Sequence, residues 1–221
     1  MKYGKMEWGQ MEAVVNKLGG LDGVERFLNN EFEIVERQKQ TPAQKPIPSI
    51  LEFIGMVAVS ATTSKFVAKE KFVRDTGDKA RVKISYLGDN FTAWFLKGDG
   101  KTEESMTEQT LRYAKLRKAS KDIPIVNELG GEEKSETTLS EMFSLMGKQG
   151  KGEAGVLLNN GYANIFYIRD MNDVLRAVDV RWLGRGWDVD AGPLAYPLGW
   201  RAGRQVFSRK YTLLPSESQA I

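Results

Sequence analysis

The chain contains neither cysteine nor histidine. A fold built from it therefore has no disulfide, no thiolate-held zinc or iron–sulfur cluster and no imidazole ligand to staple it. It must stand on a buried apolar core alone. At 221 residues, 41% hydrophobic and 28% charged, it is long enough to do so as one large domain or two small ones. The same absence rules out Ser-His-Asp and Cys-His catalytic arrangements, and it removes the side chain that normally titrates near neutrality. No metal and no cofactor is expected. With 32 basic against 29 acidic residues the net charge is only +3, which argues against a dedicated polyanion binder. Met1 to Gln10 holds no apolar signal-peptide core. No run approaches the roughly 18 apolar residues of a membrane span, and the longest, Ile50 to Val59, is interrupted by Glu52. A soluble protein in the cytoplasm is the expectation.

Hydrophobic periodicity predicts an α+β fold. Trp8, Met11, Val15 and Leu18 share one helical face, and Gly19-Gly20 supplies a left-handed stop. Asp22 followed by Glu25 reads as the capping box of a second helix, with Val24, Phe27 and Leu28 as its apolar face. This N-terminal helical pair is assigned residues 1–38. Residues 39–48 lie in a proline-punctuated linker, QKQTPAQKPIP over Gln38 to Pro48.

A central β-rich region with two helices follows, over 49–135. Val82, Ile84 and Tyr86 alternate with Arg81, Lys83 and Ser85, the period of a half-buried strand. Phe72-Val73 lies across a turn, Asp75 to Asp78, and is read as its hairpin partner. Phe91 to Leu96 fits either a short helix or a returning strand. Glu108 to Ala119 reads as a basic helix. Residues 136–214 are expected to hold one more helix and then a C-terminal antiparallel β meander. In that helix, Thr138 and Glu141 form a capping box ahead of the stripe Leu139, Met142, Phe143 and Met146. Strands are read at Ala163 to Tyr167, Val174 to Trp182, Trp187 to Ala191 and Gln205 to Arg209. A polar tail closes the chain at 215–221.

Several blocks together carry a resemblance. They are KLGGLDGVERFL (Lys17 to Leu28), KARVKISYLGDNF (Lys79 to Phe91), TLRYAKLRKAS (Thr110 to Ser120), ELGGEEKSETTLSEMFSLM (Glu128 to Met146), LLNNGYANIFYIRD (Leu157 to Asp170) and GRQVFSR (Gly203 to Arg209). Across nearly its whole length the chain resembles a family of uncharacterised bacterial proteins from small-genome candidate lineages. The resemblance implies a full-length bacterial member. Because the family has no assigned activity, it implies no chemistry.

The densest chemical feature is the cluster Trp182, Trp187, Tyr196, Trp200 and Phe207. Tryptophan and tyrosine give rigid amphipathic contact area, and they equally fill the core of a small β domain. Trp182 and Trp187 lie on strand faces with valines. Tyr196 and Trp200 lie in the Gly/Pro-rich loop AGPLAYPLGWRAG, where binding residues concentrate. Arg185, Arg201 and Arg204 flank these aromatics. They fit either a recognition surface or solvated strand-edge charge.

The expected function is a non-enzymatic interaction protein. Trp187, Tyr196, Trp200, Arg185, Arg201 and Arg204 would present the 185–204 segment to a protein or glycan partner. Two other classes are open. One is nucleic-acid binding by the basic stretch 108–121, through Arg112, Lys115, Arg117, Lys118 and Lys121. The other is carboxylate chemistry on a glycan by Asp188 and Asp190, two apart on one strand face, with Asp179.

Overall fold

A computed structural model describes residues 7–31 and 49–209. The expected linker at 39–48 and tail at 215–221 lie outside the described residues. The chain divides into two compact units, Met1–Ile47 and Pro48–Ile221. No helix among the described residues is long and apolar enough to cross a membrane.

The first unit holds α1 (Trp8–Leu18) and α2 (Leu21–Leu28). Gly19 closes α1 at φ 92°, in the left-handed region that glycine adopts without strain. The expected Asp22 capping box does not form. Gly20 is the N-cap, and Asp22 lies inside the first turn, where its charge suits the helix dipole.

The second unit runs β1 (Leu51–Val59), β2 (Phe66–Val67), α3 (Ala68–Lys71), β3 (Ile84–Leu87) and α4 (Asp89–Phe91), which continues as a π-helical turn at Thr92–Leu96. Then come β4 (Thr102–Glu103), β5 (Gln109–Leu116), α5 (Asp122–Glu128), α6 (Glu132–Ser135), β6 (Glu136–Thr137) and α7 (Leu139–Lys148). Last are β7 (Asn164–Arg169), β8 (Leu175–Trp182), β9 (Trp187–Pro193) and β10 (Gln205–Ser208). Eight strands form one mixed sheet in the order β1-β5-β10-β7-β8-β9-β3, with β6 beside β7, while β2 and β4 pair separately. The expected meander is present as β7–β8–β9, antiparallel throughout. The last strand does not extend it. β10 inserts between β5 and β7, antiparallel to the first and parallel to the second. The fold is α+β.

The stretch read as a basic helix is strand β5. The reason is that both of its faces are covered. Leu111 and Tyr113 pack into one core, whereas Ala114 and Leu116 belong to the other. Period-two burial on two faces puts apolar residues at 111, 113, 114 and 116, which mimics helical spacing. The expected hairpin around Asp75 to Asp78 shrinks to a single bridge, Asp75 to Ile84. Phe72 is occupied elsewhere, edge-on to Phe66, Phe91 and Phe143. A register shift between Ile84 and Tyr86 breaks the predicted alternation and leaves Tyr86 exposed. The Phe91 to Leu96 segment is helical.

Helix α7 forms where the sequence places it. Thr138 Oγ1 accepts the Glu141 N–H at 3.2 Å, and the Glu141 carboxylate accepts the Thr138 N–H at 2.8 Å. Glu103 on β4 accepts the N–H groups of Leu139 and Ser140 at 3.0 and 2.8 Å. Together these satisfy the donors that every helix start leaves free. Replacing Thr138 with alanine is expected to destabilise the protein by about 1 kcal/mol. A melting temperature lower by roughly 2–4 °C would register it.

Candidate functional site

The sheet face opposite α7 is shaped by small residues. On β8 and β9, Val178, Val180, Trp187 and Val189 enter the α7-side core. The alternate positions Ala177, Asp179, Arg181, Asp190 and Gly192 line a cleft of about 400 Å³. Ala163, Ala177 and Gly192 are too short to fill the space above the strands. The walls are Asn90, Asp122 at the start of α5, and the loop from Leu194 to Arg204.

That loop is pinned at its far end. Ser120 and Trp200 exchange two backbone hydrogen bonds, at 2.9 and 2.7 Å. The approach requires glycine beside it, since a Cβ on Gly199 would sit 2.6 Å from the Ser120 carbonyl oxygen. Leu116 of β5 exchanges two further bonds with Gly203 and Arg204, both 2.8 Å.

Trp200 is half-buried against the core formed with α5. Its Nε1–H donates to Asp122 Oδ1 at 2.6 Å, and the Tyr167 hydroxyl donates to the same oxygen at 3.0 Å. Asp122 is buried, and burial pushes its carboxyl above the ordinary aspartate range, partly offset by the Trp200 and Tyr167 hydrogen bonds. Asp179 is also buried and directly opposite Asp190 across the strand pair. Burial raises its carboxyl as well. Arg181, whose Nε donates to Asp179 Oδ2 at 2.6 Å, works against that rise, while Asp190 adds to it. Arg204 lies over the Tyr162 ring with its guanidinium carbon 5.2 Å from the centroid. Tyr196 is 48% exposed and Arg201 is exposed.

The cleft thus gathers Tyr196, Trp200, Arg201 and Arg204 with Asp179 and Asp190. Three expected members are elsewhere. Trp187, placed among the recognition residues, is fully buried, with its indole N–H on the Gln149 carbonyl at 3.0 Å. A strand face shared with valines is a core face here. Arg185 lies in the β8–β9 turn, against a different cavity. Asp188 accepts the Ser85 hydroxyl at 2.6 Å and does not line the cleft. The basic residues Arg112 and Lys115 sit on β5, and Lys121 is the N-cap of α5.

Sequence reasoning missed Asp122, Arg181 and Asn90. Asp122 carried a signal: an acidic residue with Pro124 just behind it opens many helices. Arg181 carried none, because its role depends on the register of Asp179 and Asp190. Among the described residues no group of three or more carboxylates is placed to hold a metal ion. Comparison with family models, curated proteins and solved structures finds no match to the chain.

The raised carboxyl of Asp122 has a defined pH consequence. Its native-state value lies above the unfolded one, so the folded state binds this proton more tightly. The contribution of the group to stability is therefore lost as pH rises from about 4 through the native value. Because both donors converge on one oxygen, the carbonyl of an asparagine can accept both. Asp122→Asn is expected to gain on the parent as pH is raised from about 4 to 7, measured by urea unfolding at each pH. A variant that loses stability relative to the parent over that range would contradict the assignment.

Proposed function

We propose that the protein is a binding protein that seats a saccharide unit of a glycan partner in this cleft. The observation that carries the reading is concavity with mixed chemistry. Tyr196 and Trp200, flanked by Arg201 and Arg204, border a recess of about 400 Å³ whose floor sets Asp179, Arg181 and Asp190 among Ala163, Ala177 and Gly192. Pockets that hold single small ligands have this order of size. Aromatic rings cover the apolar face of a sugar, and planar carboxylates and guanidinium groups bond its hydroxyls in pairs. A flat protein partner would gain little from such a recess, so the glycan form of the reading is favoured over the protein form.

The carboxylates support binding over catalysis. The two oxygens of Asp179 face Arg181, and Oδ1 of Asp122 holds two protein donors. They act as anchors for the donors that shape the site. Their raised protonation equilibria in one cleft nevertheless favour a second reading, acid–base chemistry on the glycan by Asp122 and Asp179 with Asp190. Release of reducing sugar that vanishes in Asp122→Asn would select it.

Tyr196→Ala decides the binding reading. The side chain is half out in solvent and its N–H bonds Pro193 through the backbone, which alanine keeps. The variant is expected to melt within about 1 °C of the parent, as surface substitutions do. Its affinity on an oligosaccharide panel should fall about tenfold, as for the loss of an aromatic binding anchor. No binding by the parent to any panel member, or unchanged binding by the variant, would overturn the proposal.

A further inference from the structure

A second cavity, of about 320 Å³, lies beside the β8–β9 turn and is lined by Thr76, Lys83, Lys151, Trp182, Gly184 and Arg185. Three of its six lining residues are cations and none is acidic. The nearest carboxylate that pairs with any of them is Asp78, 3.2 Å from Lys83 Nζ. That aspartate side chain is fully exposed, whereas Lys83 is only 18% exposed. Such a pair compensates a half-buried cation weakly. Lys151 Nζ donates to the Asp78 backbone carbonyl at 3.1 Å, and Glu153 is turned onto the Lys151 backbone N–H at 2.8 Å. Arg185 has no ion pair or side-chain hydrogen bond among the described residues.

The cavity is also built on rigid backbone. Lys83 donates its N–H to Gly150 at 2.7 Å and accepts that of Trp187 at 2.8 Å, which ties three segments together under the site. Trp182 is held edge-on to Trp187 at 5.5 Å. Its ring lies so close to Gly152 that a Cβ there would come within 2.1 Å, and Gly152 has φ +79°. The indole is therefore fixed in place before any ligand arrives.

We infer that this cavity binds a small phosphate monoester carried on a ring. The phosphate dianion would be met by Lys83, Lys151 and Arg185, and the ring would lie against Trp182. A phosphate monoester carries about −1.5 to −2 charges at neutral pH, matching a recess with an excess of cations. An aromatic wall beside cations suits either a nucleobase or a sugar ring. The saccharide cleft described above plays no part in this assignment.

The test is calorimetric titration of the full chain at low salt with adenosine monophosphate, glucose 6-phosphate and inorganic phosphate. Saturable one-to-one binding of at least one ester is expected, weakening as salt is raised. Arg185→Gln with Lys151→Gln should weaken it at least about tenfold, as lost charge-assisted bonds do, with an unchanged melting temperature. Should the double variant unfold, Arg185→Gln alone in its exposed turn serves the same purpose. Trp182→Leu should weaken the ester and leave inorganic phosphate unaffected. Which ester binds identifies the ring. No saturable binding of either ester at millimolar concentration, equal binding by the arginine variant, or binding of single-stranded oligonucleotide alone would overturn the inference.

Discussion

Replacing Trp187 with alanine is expected to lower stability by about 4 kcal/mol, near the top of the range for large-to-small core changes. The ring is fully buried, and its indole N–H is held by the Gln149 carbonyl. Truncation removes the largest of the fully buried side chains and strips that carbonyl of its donor. It also removes the edge-on neighbour that positions Trp182. For a domain of this size, 4 kcal/mol corresponds to a melting temperature lower by roughly 10 °C. Trp187→Phe keeps most of the volume and loses only the N–H, so its cost should be about 1–2 kcal/mol. The pair of variants separates core from recognition. If Trp187→Phe binds glycan as the parent does, any binding defect in the alanine variant comes from unfolding. A shift below about 1 kcal/mol for Trp187→Ala would mean that the residue is not a core side chain.

Trp200→Ala should affect stability and binding together. The ring closes one wall of the cleft while its body rests on the core formed with α5. Partial burial alone predicts a loss of about 2 kcal/mol. A further 1 kcal/mol or more follows from leaving buried Asp122 with Tyr167 as its one remaining side-chain donor. Unfolding in urea should therefore show about 3 kcal/mol lost, and glycan affinity should fall below detection. The second contribution can be isolated. In an Asp122→Asn background the oxygen is uncharged and depends less on the indole, so Trp200→Ala should cost about 1 kcal/mol less than in the parent. Simple additivity in that cycle would show that the charge on Asp122 adds nothing to the 2.6 Å contact. The contrast with Tyr196→Ala, expected to be silent in stability and costly in binding, would distinguish a ring that serves only the proposed ligand from one that also supports the fold.

These two tryptophans mark how far the residues alone could be read. Tyr196 and Trp200 lie on the glycine- and proline-rich loop, and that loop borders the cleft. Trp187 and Arg185, equally close in sequence, point to different places. One turns into the core and the other into the cationic recess. They diverge because Arg185 sits in the turn between Gly184, at φ 85°, and Gly186, before any strand alternation begins, whereas Trp187 opens β9 on its core face. Knowing the alternation does not say which face is covered. The carboxylates divide the same way. Asp179 and Asp190 meet in the cleft because the β8–β9 register sets them directly opposite, whereas Asp188 is taken by Ser85 from β3.

What the residues settled unaided were the features carried by interactions within a few positions. The capping box of α7, the left-handed stop at Gly19 and the antiparallel run β7–β8–β9 all follow from side chains two to four residues apart, or from strands joined by short turns. Only the tertiary structure decided that β5 is a strand, that β10 lies between β5 and β7, and that α5 delivers Asp122 to the indole of Trp200. Each of these depends on partners far away along the chain. A segment covered on both faces loses the one-sided pattern that would announce it, and pairing between distant strands is selected by the closing of the whole core, which no local spacing records.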